Sequence, residues 1–374
     1  MAKMYKLSLL LSCALLVISC ADDEKQVQNV NDEQKTAFVN VTDYKVLSEP
    51  DVAYPRKFSL ATFIDNNSNI NCWEQSLAEL GESQLHCSFE FTNGEIRTNS
   101  FKTDGIRYVP AGFVNIDSEL QLIVTVISKD AFSCYDSSSQ EFFCLNAKKY
   151  SSIASFSIDS KSGNISKKID FYNHELFYGA YMQPYISDEY TVIPFWERDN
   201  KATAINETSI GYLTITNDVT VTYFKEEHIA DYVEPSFTVL NDVFYMSFRS
   251  LKGEYVYLSK SYDKGTTWGL IEASSIFSPS SMNKIFTLNN KIIGVIHNNY
   301  KTAAQGHRNT LDITYVDENF NIMETVNLLS DENDYYSNFG FFISNNLSIA
   351  IQELDRAREV GPALDRVVSL TVTE

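Results

Sequence analysis

Six cysteines and five histidines are the residues of this 374-residue chain whose types most readily bind a metal or attack a substrate. Their spacing points elsewhere. Cys72 and Cys87, and Cys134 and Cys144, form two close pairs with no C-x-x-C run, and no histidine stands beside them at zinc-finger spacing. Of the three connectivities open to four cysteines, sequential pairing Cys72–Cys87 and Cys134–Cys144 is preferred, as structural staples in an oxidising compartment. The histidines show no H-E-x-x-H, and the chain holds no nucleophile elbow, P-loop or dinucleotide-binding glycine run. No metal and no cofactor is expected. Lys and Arg total 30 against 49 Asp and Glu, a formal net charge of -19. That balance excludes a nucleic-acid-binding protein, which needs a basic stripe against phosphates.

The first cysteines belong to an address. Lys3 and Lys6 precede an apolar run from Leu7 to Ile18, too short to span a bilayer and ending in Val17-Ile18-Ser19-Cys20. This segment looks like the lipobox of bacterial lipoproteins, with Cys20 the acylated residue and Cys13 lost with the signal. Residues 1–19 read as signal peptide, and residues 20–36, polar and acidic, as a lipidated flexible tether. Ala21 after the cysteine implies sorting to the outer membrane. The expected location is the bacterial cell envelope, with membrane contact through the lipid anchor.

Residues 37–374 must position whatever chemistry remains, and their pattern is that of strands. Runs of five to eight apolar or alternating residues recur, such as Leu120 to Val126, Phe244 to Phe248 and Ile292 to Ile296. Twenty-four Phe and 22 Tyr fit pleated sheet, and helical spacing is confined to Trp73 to Leu80. After the strand Tyr255 to Ser259 comes Ser261-Tyr262-Asp263-Lys264-Gly265-Thr266-Thr267-Trp268. The Asp side chain caps turn N–H groups, Gly supplies a positive φ, and Trp offers a large ring for packing.

This S-x-D-x-G-x-T-W run resembles the Asp-box, or BNR repeat, of sialidase-like propellers, with Ser261, Asp263, Gly265, Thr267 and Trp268 at its fixed positions. Degenerate copies centre on Asn93, Asp159, Asn217 and Asp317, giving steps of 66, 58, 46 and 54 residues along the series through Asp263. A four-stranded blade needs about 40 to 50 residues. Five turns and a terminal strand from Arg366 to Thr373 imply an all-β, six-bladed β-propeller of four-stranded antiparallel blades, with residues 37–103 as a partner blade that helps close the ring. Gly is scarce, at 14, because Asn and Asp occupy hairpins such as Leu240-Asn241-Asp242.

From about residue 100 onward the motif order is similar to that of the sialidase (neuraminidase) superfamily. That resemblance implies three arginines gripping a substrate carboxylate: Arg107 in Arg107-Tyr108-Val109-Pro110, Arg249 in Ser247-Phe248-Arg249-Ser250, and Arg308 in His307-Arg308-Asn309. Guanidinium forks match a carboxylate bidentately. Arg56 is the rival for the first position. The resemblance further implies Tyr336 as nucleophile, Glu234 as its base and Asp130 as acid/base, with Asp136 as alternative. The activity implied is an exo-sialidase-like, retaining glycoside hydrolase acting as a monomer on extracellular sialylated or related acidic glycans. A Tyr nucleophile avoids the repulsion that a carboxylate would feel beside a substrate carboxylate. The alternative is a non-catalytic surface propeller that binds glycan or protein. A polysaccharide lyase using His307 is a weaker third reading.

Overall fold

The computed structural model describes residues 38 and 40–373, except 52, 78–81, 129–134, 137–140, 143–150, 175–176, 181, 199–207, 217–218, 224–231, 251–252, 280, 289–291, 300–309, 331–333, 344–345 and 356–364. Six antiparallel sheets follow one another around a ring. Blade 1 comprises Arg56–Ile64, Ser68–Ser76, Ser83–Phe91 and Ile96–Phe101, from the inner strand outward. Blade 2 comprises Ile106–Ile116, Glu119–Ser128, Ser151–Ile158 and Ile165–His174. In blade 3 the inner position is shared by Phe177–Gly179 and Tyr185–Ile186, followed by Thr191–Arg198, Thr208–Ile215 and Val219–Tyr223. Blade 4 holds Tyr232–Leu240, Val243–Ser250, Tyr255–Ser261 and Glu272–Phe277. Blade 5 holds Lys284–Leu288, Ile292–His297, Thr310–Val316 and Ile322–Ser330. Blade 6 takes Asp334–Ile343, Leu347–Asp355 and Asp365–Thr373 from the C-terminus, and Asn40–Ser48 from the far end of the chain as its outer strand.

The six-bladed expectation holds, and its closure is corrected in detail. Residues 37–103 do not make one partner blade. Asn40–Ser48 pairs with Asp365–Thr373, whereas Arg56–Ile64 onward forms a complete blade of its own. Trp73 lies in strand Ser68–Ser76, opposite His86, and not in a helical turn. Cross-strand pairing wins there because the strand is buried along nearly its whole length.

Apolar runs become middle strands because each blade is covered on both faces by its neighbours. Ile292–His297 is buried at every position, while the outer strand Ile322–Ser330 is mostly exposed. The core is therefore divided among the blade interfaces. Leu85 and Phe89 of blade 1 pack with Leu122 and Phe156 of blade 2, and Val192 and Tyr212 of blade 3 with Phe237 and Phe248 of blade 4. Cys72 and Cys87 face each other in the ladder and are bonded, with Cα atoms 4.1 Å apart. Cys134 and Cys144 lie outside the described residues.

Candidate functional site

The late residues of the inner strands of all six blades line one axial cavity, so these strands run in the same sense. One end of the ring, here the mouth face, collects the starts of the inner strands and the ends of the second strands. The other, the turn face, collects the hairpins that join them.

Arg107, Glu234, Arg249 and Tyr336 all fall at the mouth face. Arg107 is the second residue of the blade 2 inner strand, Glu234 the third of the blade 4 inner strand, and Arg249 the last but one of the strand beside it. Tyr336 stands near the start of the blade 6 inner strand, paired in register with Glu353. Asp130 and Arg308 lie outside the described residues. In chain order Asp130 follows the second strand of blade 2, and Arg308 precedes the third strand of blade 5.

Glu234 owes its placement to a break in the ladder. Pro235 removes an N–H that the ladder would need, and the register shifts between Val233 and Ser236. Glu234 takes a φ of 55°, a left-handed conformation that costs a non-glycine residue free energy. Such a bulge re-aims a side chain. Here the Glu234 carboxylate meets Arg249 at 3.3 Å, with both side chains partly exposed.

Arg107 is held differently. Its Nε donates to Glu74 Oε1 at 2.6 Å and its Nη2 to Oε2 at 2.9 Å, joining blade 2 to blade 1. The fork is thus engaged face to face with a fully buried carboxylate, and only 9% of the Arg107 side chain is exposed. Its rival Arg56 opens the blade 1 inner strand with 28% of its side chain exposed. Arg56 Nε donates to Asp365 Oδ2 at 3.2 Å, and its guanidinium lies over Phe58.

A second charged group binds blade 6 to blade 1. Asp365 Oδ2 also accepts from Lys57 N at 2.9 Å and Gln352 Nε2 at 2.7 Å, yet burial pushes the Asp365 carboxyl above the usual range. Lys57 Nζ donates to the carbonyls of Asp365 and Glu49 at 2.7 and 2.9 Å, and burial lowers its pKa. Glu353, buried opposite Tyr336, accepts from Tyr44 Oη at 2.8 Å and pairs with Arg366. Glu74, Glu353 and Asp365 carry no motif of their own. Their signal was a charge inside an otherwise buried strand, which must find a partner.

The Asp-box forms at the turn between the third and fourth strands of blade 4. Asp263 Oδ1 accepts from Thr267 N at 2.8 Å and from Ser261 Oγ at 2.8 Å, and Oδ2 accepts from Thr267 Oγ1 at 2.6 Å. The Thr267 hydroxyl, with the Thr267 amide and the Ser261 hydroxyl behind it, holds the Asp263 carboxyl down to about 2. Gly265 N donates to Ser261 Oγ at 2.8 Å, and Gly265 adopts a φ of 87°. Trp268 meets Tyr212 of blade 3 and Phe237 of blade 4 edge-on, each at 6.4 Å between centroids. Asn93, Asp159 and Asp317 take the same place in blades 1, 2 and 5, each accepting from a backbone amide two residues on. Asn217, in the corresponding turn of blade 3, lies outside the described residues.

Residues 165–349, just under half of the chain, match the BNR repeat-like domain family. The Trypanosoma rangeli sialidase solved with sialic acid superposes with a TM-score of 0.61 at 9% identity, over 90% of this chain and 58% of that one. The fold is that of the sialidases. A Hadza microbial sialidase superposes with a TM-score of 0.58 at 10% identity, over 86% of this chain and 66% of that one. A Dyadobacter fermentans protein described as of unknown function gives 0.64 at 10% identity, with 89% and 99% covered. The chain thus spans less than two thirds of the trypanosomal enzyme's length. No curated protein is significantly similar to it in sequence. The sialidase-type propeller places its Asp-box turns on the face opposite Arg107, Glu234, Arg249 and Tyr336.

Proposed function

We propose that the mouth face carries a retaining, exo-sialidase-like glycoside hydrolase site for sialylated or related acidic glycans. The observation that carries this reading is the Glu234–Arg249 pair on the bulged start of blade 4, at the same face as Arg56, Arg107 and Tyr336. In this scheme Arg249 and Arg308 bind the substrate carboxylate. Arg56, more exposed than Arg107, serves as the third arginine, and Arg107 supports the wall through Glu74. Glu234 takes the Tyr336 phenolic proton, the phenolate attacks the anomeric carbon, and Asp130 protonates the leaving oxygen before activating water.

Release of 4-methylumbelliferone from its sialoside tests the scheme. The wild type releases the fluorophore, and Tyr336→Phe and Glu234→Gln each lower kcat/KM by about a hundred-fold or more. Equal release by wild type and Tyr336→Phe rejects the mechanism. The occupied fork of Arg107 favours a second reading, a propeller that binds acidic glycans without turnover. Sialyllactose binding by calorimetry with no fluorophore release from wild type would select it.

The Val17-Ile18-Ser19-Cys20 run supports a lipid anchor at Cys20 and an outer-membrane location. Metabolic labelling with a palmitate analogue should mark the wild type and not Cys20→Ser. Label retained on the variant would overturn the anchor.

A further inference from the structure

The axial cavity at the turn face holds about 350 Å3, within the range of small-molecule sites. Every blade contributes one aromatic ring to its wall: Phe63, Phe113, Tyr185, Phe237, Phe286 and Phe341. The rings fix one another in pairs across blade boundaries. Phe63 and Phe113 have centroids 5.7 Å apart, Tyr185 and Phe237 5.8 Å, and Phe286 and Phe341 5.8 Å. Exposed Asn115 and Ile186 at the rim open the cavity to solvent.

At the same face the inner hairpins of four blades carry Asp65, Asp117, Asp188 and Asp242, with Asp65 capping the amides of Asn67 and Ser68 in its own turn. The charge of Asp242 reaches the wall: burial raises the pKa of Tyr185, and the Asp242 carboxylate raises it further, as it does that of Tyr190. Aromatic faces bearing negative charge density, with carboxylates at the same face, form the kind of cage that recognises ammonium ligands. An anion would face both the rings and the carboxylates unfavourably. One wall ring already accepts an amine from above, because Lys284 Nζ lies 5.9 Å from the Phe341 centroid. Burial lowers the pKa of Lys284 to about 7, which weakens its opposition to a second cation. Gln183 donates through Nε2 to the Phe113 carbonyl at 3.2 Å, which holds its side chain against the blade 2 wall of the cavity.

We propose that this cavity binds a small organic cation, a quaternary ammonium, at a site separate from the mouth face. Calorimetric titration of the full chain with choline and with its neutral carbon isostere, 3,3-dimethylbutan-1-ol, tests it. Choline should bind at least about ten-fold more tightly than the isostere, the margin expected of a partly desolvated cage. Asp242→Asn, which suits the positive φ of 61° at that turn, and Tyr185→Leu should each weaken choline binding several-fold. Arg249→Ala, which disables the proposed mouth site, should leave it unchanged. Equal affinity for the two probes, no binding of choline, or loss of binding in Arg249→Ala would each overturn the proposal. Melting curves identify any variant that fails to fold, and the comparison of the two probes on wild type stands without the variants.

Discussion

Arg107 shows how one side chain can satisfy a motif and yet be committed elsewhere. Its fork closes on Glu74 with both partners almost without solvent, and removing one member of such a pair strands a buried charge. Arg107→Met should therefore lower the unfolding free energy by about 3–5 kcal/mol in urea titrations. Replacing Glu74 and Arg107 together should cost less than either single change, since no charge is then left alone. A stable but inactive Arg107→Met protein would instead make Arg107 a substrate ligand. Arg107 itself was legible from Arg107-Tyr108-Val109-Pro110. Its partner, 33 residues upstream, was not, because only the ladder brings Glu74 to the boundary of blades 1 and 2. Glu234 was legible as an acid before proline, but the bulge that turns it toward Arg249 depends on the pairing of the two strands.

At the scale of the element, the Asp-box is the part most fully written in local sequence. Its caps span no more than four residues, so Ser261, Asp263 and Thr267 need no distant partner to form the turn. Gly265 has two constraints. Its φ is positive, and a Cβ there would stand 2.0 Å from Tyr212 Oη of blade 3. Gly265→Ala should destabilise the protein by about 1–3 kcal/mol, read as a lowered Tm. Tyr212→Phe in that background should return part of the loss by removing the clash, leaving the cost of the φ. No recovery would mean that the close approach of Tyr212 is not the source. The degenerate turns at Asn93, Asp159 and Asp317 form equivalent caps because one carboxylate or amide oxygen two residues before a free N–H suffices.

For the whole molecule the decisive contact is the one between its two ends. Asn40 pairs with Thr373 and Val46 with Val368, so the first described strand closes the last blade. Phe38 is anchored there by Tyr315, whose hydroxyl accepts from Phe38 N at 2.9 Å and donates to Phe38 O at 3.0 Å. Removing residues up to Ser48 would uncover the edge of Asp365–Thr373 and the apolar interface around Phe38. An unpaired edge of this kind templates further pairing. The truncated protein should elute as aggregate rather than as the single species of the full chain in size-exclusion chromatography. A species of unchanged size and Tm would show that the closing strand is dispensable.

The sequence by itself determined the strands, the six-blade count and the recurring turn, because these rest on short-range periodicity and on side chains capping amides a few residues away. It also marked Arg107, Glu234, Arg249 and Tyr336, whose strand positions fall at the mouth face, since strand order alternates which end of a blade each segment reaches. Only the tertiary structure decided which charges pair, that Arg56 is more exposed than Arg107, and that six aromatic rings meet on one axis. Those outcomes depend on contacts between blades, and no local pattern encodes which residue of a distant blade stands opposite.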